Sequence, residues 1–199
     1  RFSGVTGVQT CALPIYLLGQ HFQYSARCKS DMKRFSIKDY TRSNLSDHAK
    51  QTIADYDNAT LYNDFVLSKI VERFRNKEAI VVYLSDHGED CYGKDVDMAG
   101  RLTEVENIDV KKYHEEFEIP FWIWCSPAYR QRHHKIFIEI MKARHNRFMT
   151  DDLPHLLLYL AGISTKEYKA ERNVLSPRFN NRRPRLVLNS IDYDKALHQ

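Results

Sequence analysis

Residues 79–84 read AIVVYL, an unbroken apolar run rich in β-branched side chains, and the polar sequence SDHGE follows at once. A run of this length and composition predicts a short strand that is buried on both faces of a sheet. A second apolar run, IPFWIWC at residues 119–125, predicts another strand, and Pro120 near its start is typical of a first strand position or a sheet edge. The sequence therefore predicts a sheet that contains these two strands.

Helical periodicity accompanies the predicted strands. Apolar residues recur at helical spacing over residues 47–76, and Ser46 or Asp47 can cap the start of that helix. Two further helices are predicted, over residues 129–142 and residues 150–161. A helix that leads into a buried strand is half of an α/β repeat, so we predict an α/β fold in one domain or at most two small ones.

The composition excludes several classes of protein. Hydrophobic residues make up 43% of the chain and aromatic residues 12%, enough apolar surface to exclude a wholly disordered chain. No apolar run reaches the ~18 residues that a membrane-spanning helix needs. The 30 basic against 26 acidic residues give a net charge of +4, and the arginine-rich residues 178–185 contain one aromatic side chain. We therefore predict no nucleic-acid partner.

The sequence does not show whether the four cysteines form disulfides. Cys11, Cys28, Cys91 and Cys125 form no CxxC pair and have no zinc-finger spacing to a histidine. Disulfides and free thiols both stay open, because pairing depends on distances that the sequence does not give.

The polar residues after the first strand carry the best chemical signal. Asp86 and His87 are adjacent at the carboxyl end of that strand, where ligands gather in open α/β sheets. A carboxylate and an imidazole are good ligands for zinc and acceptable ones for other divalent cations. Gly88 has no side chain and is expected to leave room for a metal or substrate close to the backbone. The alternative is a surface turn with an exposed Asp and His.

His21 is a second candidate. Residues 17–21, LLGQH, are predicted to be the end of a short strand that runs into a loop, so His21 can also lie at a strand end. If the two strands are neighbours, His21 joins Asp86 and His87 in one site. The alternative is a solvated loop histidine.

Five segments carry a family resemblance. In chain order they are GQHFQY at residues 19–24, YDNATLYND at 56–64, SDHGE at 85–89, IPFWIW at 119–124 and DDLPHLLLYLAGI at 151–163. SDHGE after an apolar strand resembles the metal-binding motif of the alkaline-phosphatase and sulfatase superfamily. All five together resemble the phosphoethanolamine transferases that modify lipid A and other envelope glycans. The resemblance implies an α/β, alkaline-phosphatase-like (sulfatase-like) sheet flanked by helices and truncated at its N-terminus.

The resemblance also implies roles for the candidate residues. Asp86 and His87 would be ligands of zinc or another divalent cation. His21 would be a catalytic residue that contacts the substrate phosphate or a second metal.

One loop departs from the pattern of these transferases. They commonly carry another histidine in the loop after the metal motif, and residues 91–101 contain none. Arg101 in that loop can bind a phosphate through its charge, and bidentately if well placed. His114 is the other candidate to replace the missing histidine.

The resemblance implies a two-step transfer. A metal-bound threonine attacks phosphatidylethanolamine, keeps the phosphoethanolamine and passes it to a glycolipid acceptor such as lipid A. That threonine lies upstream of the region represented here, so we expect this fragment alone to be inactive. Two alternatives stay open: a sulfatase or phosphodiesterase hydrolase of the same superfamily, and a non-catalytic domain with a decayed site. The identity of the upstream nucleophile separates the transferase from a sulfatase.

The start of the chain carries a separate signal. Residues 1–15, RFSGVTGVQTCALPI, have neither strand alternation nor helical period and resemble the translation of sequencing-adapter DNA. We therefore expect residues 1–15, with Cys11, to be non-native, and residues 16–199 to be the C-terminal part of a sulfatase-like catalytic domain. The alternative is a flexible native terminus. The family is anchored by membrane helices further upstream, which implies a bacterial inner-membrane protein whose catalytic domain faces the periplasm.

Overall fold

The computed structural model describes residues 12–102 and 108–198. Cys11 and most of the segment expected to be non-native, residues 1–15, therefore lie outside the described residues. Part of the loop that follows Arg101 lies outside them as well.

The described chain divides into two compact units, each of which is built from two stretches of sequence. The first, called the sheet unit below, consists of residues 18–132 and 184–198. The second, called the helical unit, consists of residues 12–17 and 133–183.

The longest element of the sheet unit is α1, Asp47–Phe74. Its first turn is capped by Ser46, whose Oγ accepts a hydrogen bond of 3.1 Å from the backbone N of Ala49. Such a cap satisfies one of the free N–H groups at a helix start, which is why serine is favoured there. The predicted helix and its cap are confirmed. Its buried face carries only small and amide side chains: Ala49, Ala54, Asn58, Ala59 and Asn63.

Both predicted strands form and pair with each other. Strand β1, Ile80–Leu84, runs antiparallel to β4, Phe121–Cys125, with Ile80 opposite Cys125 and Leu84 opposite Phe121. Every position of β1 is half-buried, so the expectation of burial on both faces is wrong for the described residues. Aromatic side chains cover one face of the pair, where Tyr83 stacks on Trp122 with ring centroids 5.2 Å apart.

Shorter elements complete the sheet unit. Strands β2, Asp90–Cys91, and β3, Ala99–Gly100, pair antiparallel after the polar turn that follows β1. Helix α2 covers Pro127–Arg132. Near the end of the chain, a two-stranded hairpin precedes a short helix: β5 Leu186–Val187, β6 Ile191–Asp192 and α5 Tyr193–Leu197.

The helical unit contains α3, His134–Ala143, and α4, Leu153–Leu160. A 3-10 turn, Thr150–Asp152, leads into α4, and Gly162 follows it with a φ of +66°, a conformation that glycine adopts without strain. The prediction of a helix that stops at Gly162 is confirmed. The single helix predicted over residues 129–142 is instead two helices, α2 and α3.

The break between α2 and α3 lies at His133, whose φ of −113° and ψ of 44° are not helical. The residues around the break, 130–135, read RQRHHK and contain no apolar side chain, so the apolar spacing does not indicate where α2 ends and α3 begins.

Residues 17–21 do not form the predicted strand. They form an exposed turn in which the backbone N of His21 donates to the carbonyl of Leu18 at 2.9 Å. The long polar segment after it contains three 3-10 turns: Tyr24–Ala26, Ser30–Met32 and Ile37–Asp39.

Two further findings concern the described residues as a whole. Cys28, Cys91 and Cys125 are free thiols, which answers for these three the question that the sequence left open. No helix in residues 12–102 or 108–198 combines the length and the apolar character needed to cross a membrane.

Candidate metal and phosphate site

The polar turn after β1 brings Asp86 and His87 together. The hydroxyl of Ser85 donates to the carbonyl of His87 at 2.7 Å, and the backbone N of His87 donates to Oδ1 of Asp86 at 3.1 Å. These two hydrogen bonds close the turn directly after Leu84, the last residue of the strand. Asp86 has a side chain that is 88% exposed, so its carboxylate is accessible to an ion from solution.

The hydrogen bonds of His87 fix which ring nitrogen is available. Its Nδ1 lies 2.8 Å from the carbonyl oxygen of Gly88. A carbonyl oxygen can only accept, so Nδ1 carries the proton and Nε2 of the neutral ring keeps a free lone pair. A backbone carbonyl behind the ring is the usual support of a metal-binding histidine.

The spacing of the two side chains suits a shared ion. Nε2 of His87 lies 3.7 Å from Oδ1 of Asp86. Two ligand atoms of a tetrahedral zinc, each about 2.0–2.2 Å from the metal, are roughly 3.3–3.6 Å apart. The pair therefore fits zinc with a small adjustment. No group of three or more His, Cys, Asp and Glu side chains that can hold a metal occurs within the described ranges, so this part of the chain offers a two-ligand set.

The space beside Gly88 is occupied by protein. A β-carbon at this position would lie 1.9 Å from the carbonyl oxygen of Glu115 and 2.8 Å from that of Glu118. The backbone N of Gly88 also donates to the carbonyl of Glu116 at 3.1 Å. The expectation that Gly88 leaves room for a metal or substrate is therefore wrong. This glycine permits close packing of two backbone segments instead.

His21 lies in an exposed turn that is held by Arg27. The guanidinium Nε donates to the carbonyl of His21 at 3.0 Å, and Nη2 donates to that of Phe22 at 3.2 Å. Nδ1 of His21 lies 2.7 Å from the carbonyl of Phe22, so it carries the proton and Nε2 is available, as in His87. An imidazole with one free nitrogen can accept a proton, donate one when protonated, or bind a metal.

Two side chains connect the turn that contains His21 to the residues before and after Asp86 and His87. The sequence analysis did not identify them. The amide of Asn63, on α1, donates to Gln20 and to Tyr83, and the hydroxyl of Tyr24 donates to Glu89. Both residues lie inside the family-like segments, yet nothing in the local pattern indicates these contacts.

Arg101 follows β3 and is exposed. The register of β2 and β3 sets Asp90 opposite Gly100, the residue that precedes Arg101. His114 lies in a 3-10 turn, His114–Glu116, and its Nδ1 contacts the carbonyl of Lys111 at 3.1 Å.

A buried acid follows the polar turn. Asp90 is completely buried, and neither carboxylate oxygen has a hydrogen-bond partner in the described residues. Burial, reinforced by the charges of Glu115 and then Glu116, raises the pKa of Asp90 to about 6. Glu116, also buried, accepts a hydrogen bond of 2.9 Å from the backbone N of Leu102.

Comparison with known proteins supports the resemblance. The sulfatase family model matches residues 13–163. The phosphoethanolamine transferase EptC of Escherichia coli strain K12 is 31% identical over 168 residues, which make up 83% of this chain and 28% of EptC. The phosphoethanolamine transferase CptA of Salmonella typhimurium is 29% identical over the same shares of both chains.

Comparison with solved structures gives the same family. The C-terminal periplasmic domain of EptC from Escherichia coli matches with a TM-score of 0.69 and 27% identity over 82% of this chain and 45% of that domain. The same domain in complex with Zn matches with a TM-score of 0.68 and 26% identity over 88% of this chain and 49% of the domain. The chain thus spans just under half of the solved domains and less than a third of the two curated relatives. It belongs to the sulfatase family, with the alkaline-phosphatase-like fold of the EptC periplasmic domain.

Proposed function

We propose that the protein to which this chain belongs transfers phosphoethanolamine from phosphatidylethanolamine to lipid A or another envelope glycan. The observation that carries the proposal is the pair of Asp86 and His87, whose ligand atoms lie 3.7 Å apart at the end of β1. The relatives named above are phosphoethanolamine transferases, and one neighbouring domain was solved with Zn. Zinc is therefore the proposed metal, and another divalent cation is compatible with the same two ligands.

The proposed roles follow from the chemistry of the side chains. Asp86 and His87 would hold the zinc ion, which would supply positive charge to neutralise a phosphodiester and would lower the proton affinity of a hydroxyl. When both of its ring nitrogens carry a proton, His21 stabilises charge on the transferring phosphate or gives the Nε2 proton to the leaving oxygen. Arg101 binds the substrate phosphate through its positive charge. The nucleophile is proposed to be a threonine upstream of residue 17. Its attack on phosphorus would bond phosphoethanolamine to the threonine oxygen and release diacylglycerol, and attack by the glycan acceptor would then release the threonine.

The proposal extends to the place of the protein in the cell. The solved neighbours are periplasmic domains. We propose an inner-membrane protein anchored by helices upstream, with residues 16–199 as the C-terminal part of its periplasmic catalytic domain. Residues 1–15 are proposed to be non-native, and this chain alone is proposed to be inactive.

Zinc binding by this chain tests the metal site directly. We expect a competition titration against a chromophoric zinc indicator to give affinities at least about tenfold weaker for Asp86→Ala and His87→Ala than for the unaltered chain. Asp64→Ala and His134→Ala, which remove an exposed carboxylate and an exposed imidazole, are the matched controls. Equal affinities for all five proteins would show that Asp86 and His87 do not hold the metal.

The reaction is tested with the full-length membrane protein and labelled phosphatidylethanolamine. Transfer predicts lipid A or another glycan whose mass increases by one phosphoethanolamine group, and loss of this product in His87→Ala. Release of free phosphoethanolamine without a modified acceptor would favour the hydrolase, which the sulfatase family match also supports. No turnover of any kind would favour the non-catalytic domain.

A further inference from the structure

Asn63 connects two segments that are far apart in sequence. It lies in the middle of α1 and is only 7% exposed. Its Nδ2 donates to Oε1 of Gln20 at 3.3 Å and to the hydroxyl of Tyr83 at 3.1 Å, so one amino group uses both of its hydrogens. Gln20 precedes His21 directly, and Tyr83 lies on β1 three residues before Asp86.

A second contact holds the other end of the same segment. Tyr24 is 3% exposed, and its hydroxyl donates to Oε1 of Glu89, two residues after His87. The ring of Tyr24 packs edge-on against Tyr56 of α1, with centroids 5.2 Å apart. Burial, and then the bond to Glu89, raises the pKa of Tyr24 far above its usual range, so the hydroxyl stays a donor at physiological pH.

The two contacts tie residues 20–24 to residues 83–89. At one end Asn63 bonds both Gln20 and Tyr83, and at the other Tyr24 bonds Glu89. His21 lies inside the first segment, and Asp86 and His87 lie inside the second. Gly19 begins this segment with a φ of +45°, a conformation that residues with a side chain rarely adopt.

We propose that Asn63 and Tyr24 are positioning residues, which fix His21 beside Asp86 and His87 by tying residues 20–24 to residues 83–89. This inference rests on the proposed function, since it treats Asp86 and His87 as metal ligands. It adds two residues that touch neither the metal nor the phosphate and act through His21.

The same helix provides a matched control. Asn58 is 1% exposed, about 1.4 turns before Asn63, and its side chain makes hydrogen bonds to the backbone of another segment. Its Oδ1 accepts from the backbone N of Arg34 at 2.6 Å and of Phe35 at 3.0 Å, and its Nδ2 donates to the carbonyl of Phe35 at 2.8 Å. Asn58 thus anchors residues 34–35, and loss of its side chain should lower stability without moving His21.

Paramagnetic broadening by Mn²⁺ measures the position of His21. The histidine ring signals of the ¹⁵N-labelled chain are recorded by NMR while Mn²⁺ is added. We expect Mn²⁺ to broaden the signals of both His87 and His21 in the unaltered chain. In Asn63→Leu, the broadening of His87 should persist and that of His21 should fall severalfold, whereas Asn58→Leu should keep both.

Tyr24→Phe gives a second variant that removes a single hydroxyl, in case Asn63→Leu does not fold. It should also lower the broadening of His21, and Tyr40→Phe, which loses a hydroxyl bonded to Asp57 at 2.6 Å, should not. If Mn²⁺ does not broaden the signals of His87 in the unaltered chain, the proposed metal site is wrong, and so is the positioning role that depends on it. If His87 broadens but His21 stays sharp, or if His21 broadens equally in Asn63→Leu and Tyr24→Phe, only the positioning role is overturned.

Discussion

Gly88 lies against the backbone of Glu115 so closely that a β-carbon on Gly88 would stand 1.9 Å from the carbonyl oxygen of Glu115. A hydrogen bond of 3.1 Å from the N of Gly88 to the carbonyl of Glu116 joins the same two segments. The turn that carries His87 is therefore fixed by backbone packing against the loop before β4. This close packing is the reason why position 88 requires glycine.

Gly88→Ala should consequently destabilise the sheet unit by about 1–3 kcal/mol, because backbone on both sides must move to admit the methyl group. Urea unfolding followed by the fluorescence of Trp122 and Trp124 measures this change. Gly93→Ala, in the loop between β2 and β3, is the control. Its β-carbon would meet the carboxylate of Glu115 at 3.4 Å, and that flexible side chain can move away. Equal losses of stability in the two variants would contradict the packing.

The buried Asp90 predicts a pH dependence of stability. Its pKa is raised to about 6, above the value of about 3.9 in an unfolded chain, because burial and then the charges of Glu115 and Glu116 disfavour the carboxylate, while His114 acts weakly in the opposite direction. The folded chain therefore binds this proton more tightly than the unfolded chain. The stabilisation is fully present below the unfolded pKa and is lost as the pH rises through about 6.

Asp90→Asn should remove this dependence. Relative to the unaltered chain, the variant should gain about 1–3 kcal/mol of unfolding free energy between pH 4 and pH 7.5. Urea unfolding at a series of pH values measures the difference, and Asp95→Asn, at an exposed position of the loop between β2 and β3, is the control. A difference between Asp90→Asn and the unaltered chain that does not change with pH would argue against a proton on Asp90.

Two neighbouring acids in the helical unit should differ in their contribution to stability. Asp152 and Asp151 bind the same two arginines, Arg172 and Arg183, but their side chains are 3% and 51% exposed respectively. Loss of the buried charge removes hydrogen bonds that water cannot replace at that position, whereas water can replace those of the exposed carboxylate.

We therefore expect Asp152→Asn to lower the unfolding free energy by about 1–3 kcal/mol and Asp151→Asn by less than about 1 kcal/mol. Thermal unfolding monitored by far-ultraviolet circular dichroism compares the two variants under one condition. The reverse order would mean that the bidentate contact of Arg183 with Asp151, at 2.6 and 2.9 Å, is the stronger one.

Cys91 should react slowly with thiol reagents. Burial, followed by the charge of Asp57 and then of Glu89, raises its pKa to about 12, and the thiolate is the reactive form. At pH 8, alkylation of Cys91 should be at least about 100-fold slower in the folded chain than in denaturant. Peptide mass spectrometry after timed alkylation measures the rates, and Cys28 is the internal comparison, since its pKa is raised less. Rapid labelling of Cys91 in the folded chain would show that its loop opens readily.

Elements with a strong local pattern were predictable from the sequence. The periodicity and serine cap of α1, and the apolar runs of β1 and β4, are properties of consecutive residues, and the structure has all three elements close to their predicted bounds. The family resemblance was equally local, since each of its five segments is a short motif.

Predictions that depended on contacts between residues distant in sequence were less accurate. Residues 17–21 look like the end of a strand, but Leu18 is 67% exposed and no strand pairs with it in the described residues. An apolar run becomes a strand only if another strand accepts its hydrogen bonds, and that partner is not encoded in the run itself. The helix predicted over residues 129–142 is divided at His133 by a non-helical backbone conformation, which the surrounding polar residues, RQRHHK, do not reveal.

For the site, the sequence by itself selected Asp86 and His87, because adjacent ligands after an apolar strand form a local pattern. Only the tertiary structure decided that Asn63 joins Gln20 to Tyr83, that Tyr24 reaches Glu89, and that Gly88 packs on backbone. These contacts join residues 20 to 65 positions apart, so they depend on how the elements pack, and no periodicity along the chain specifies them.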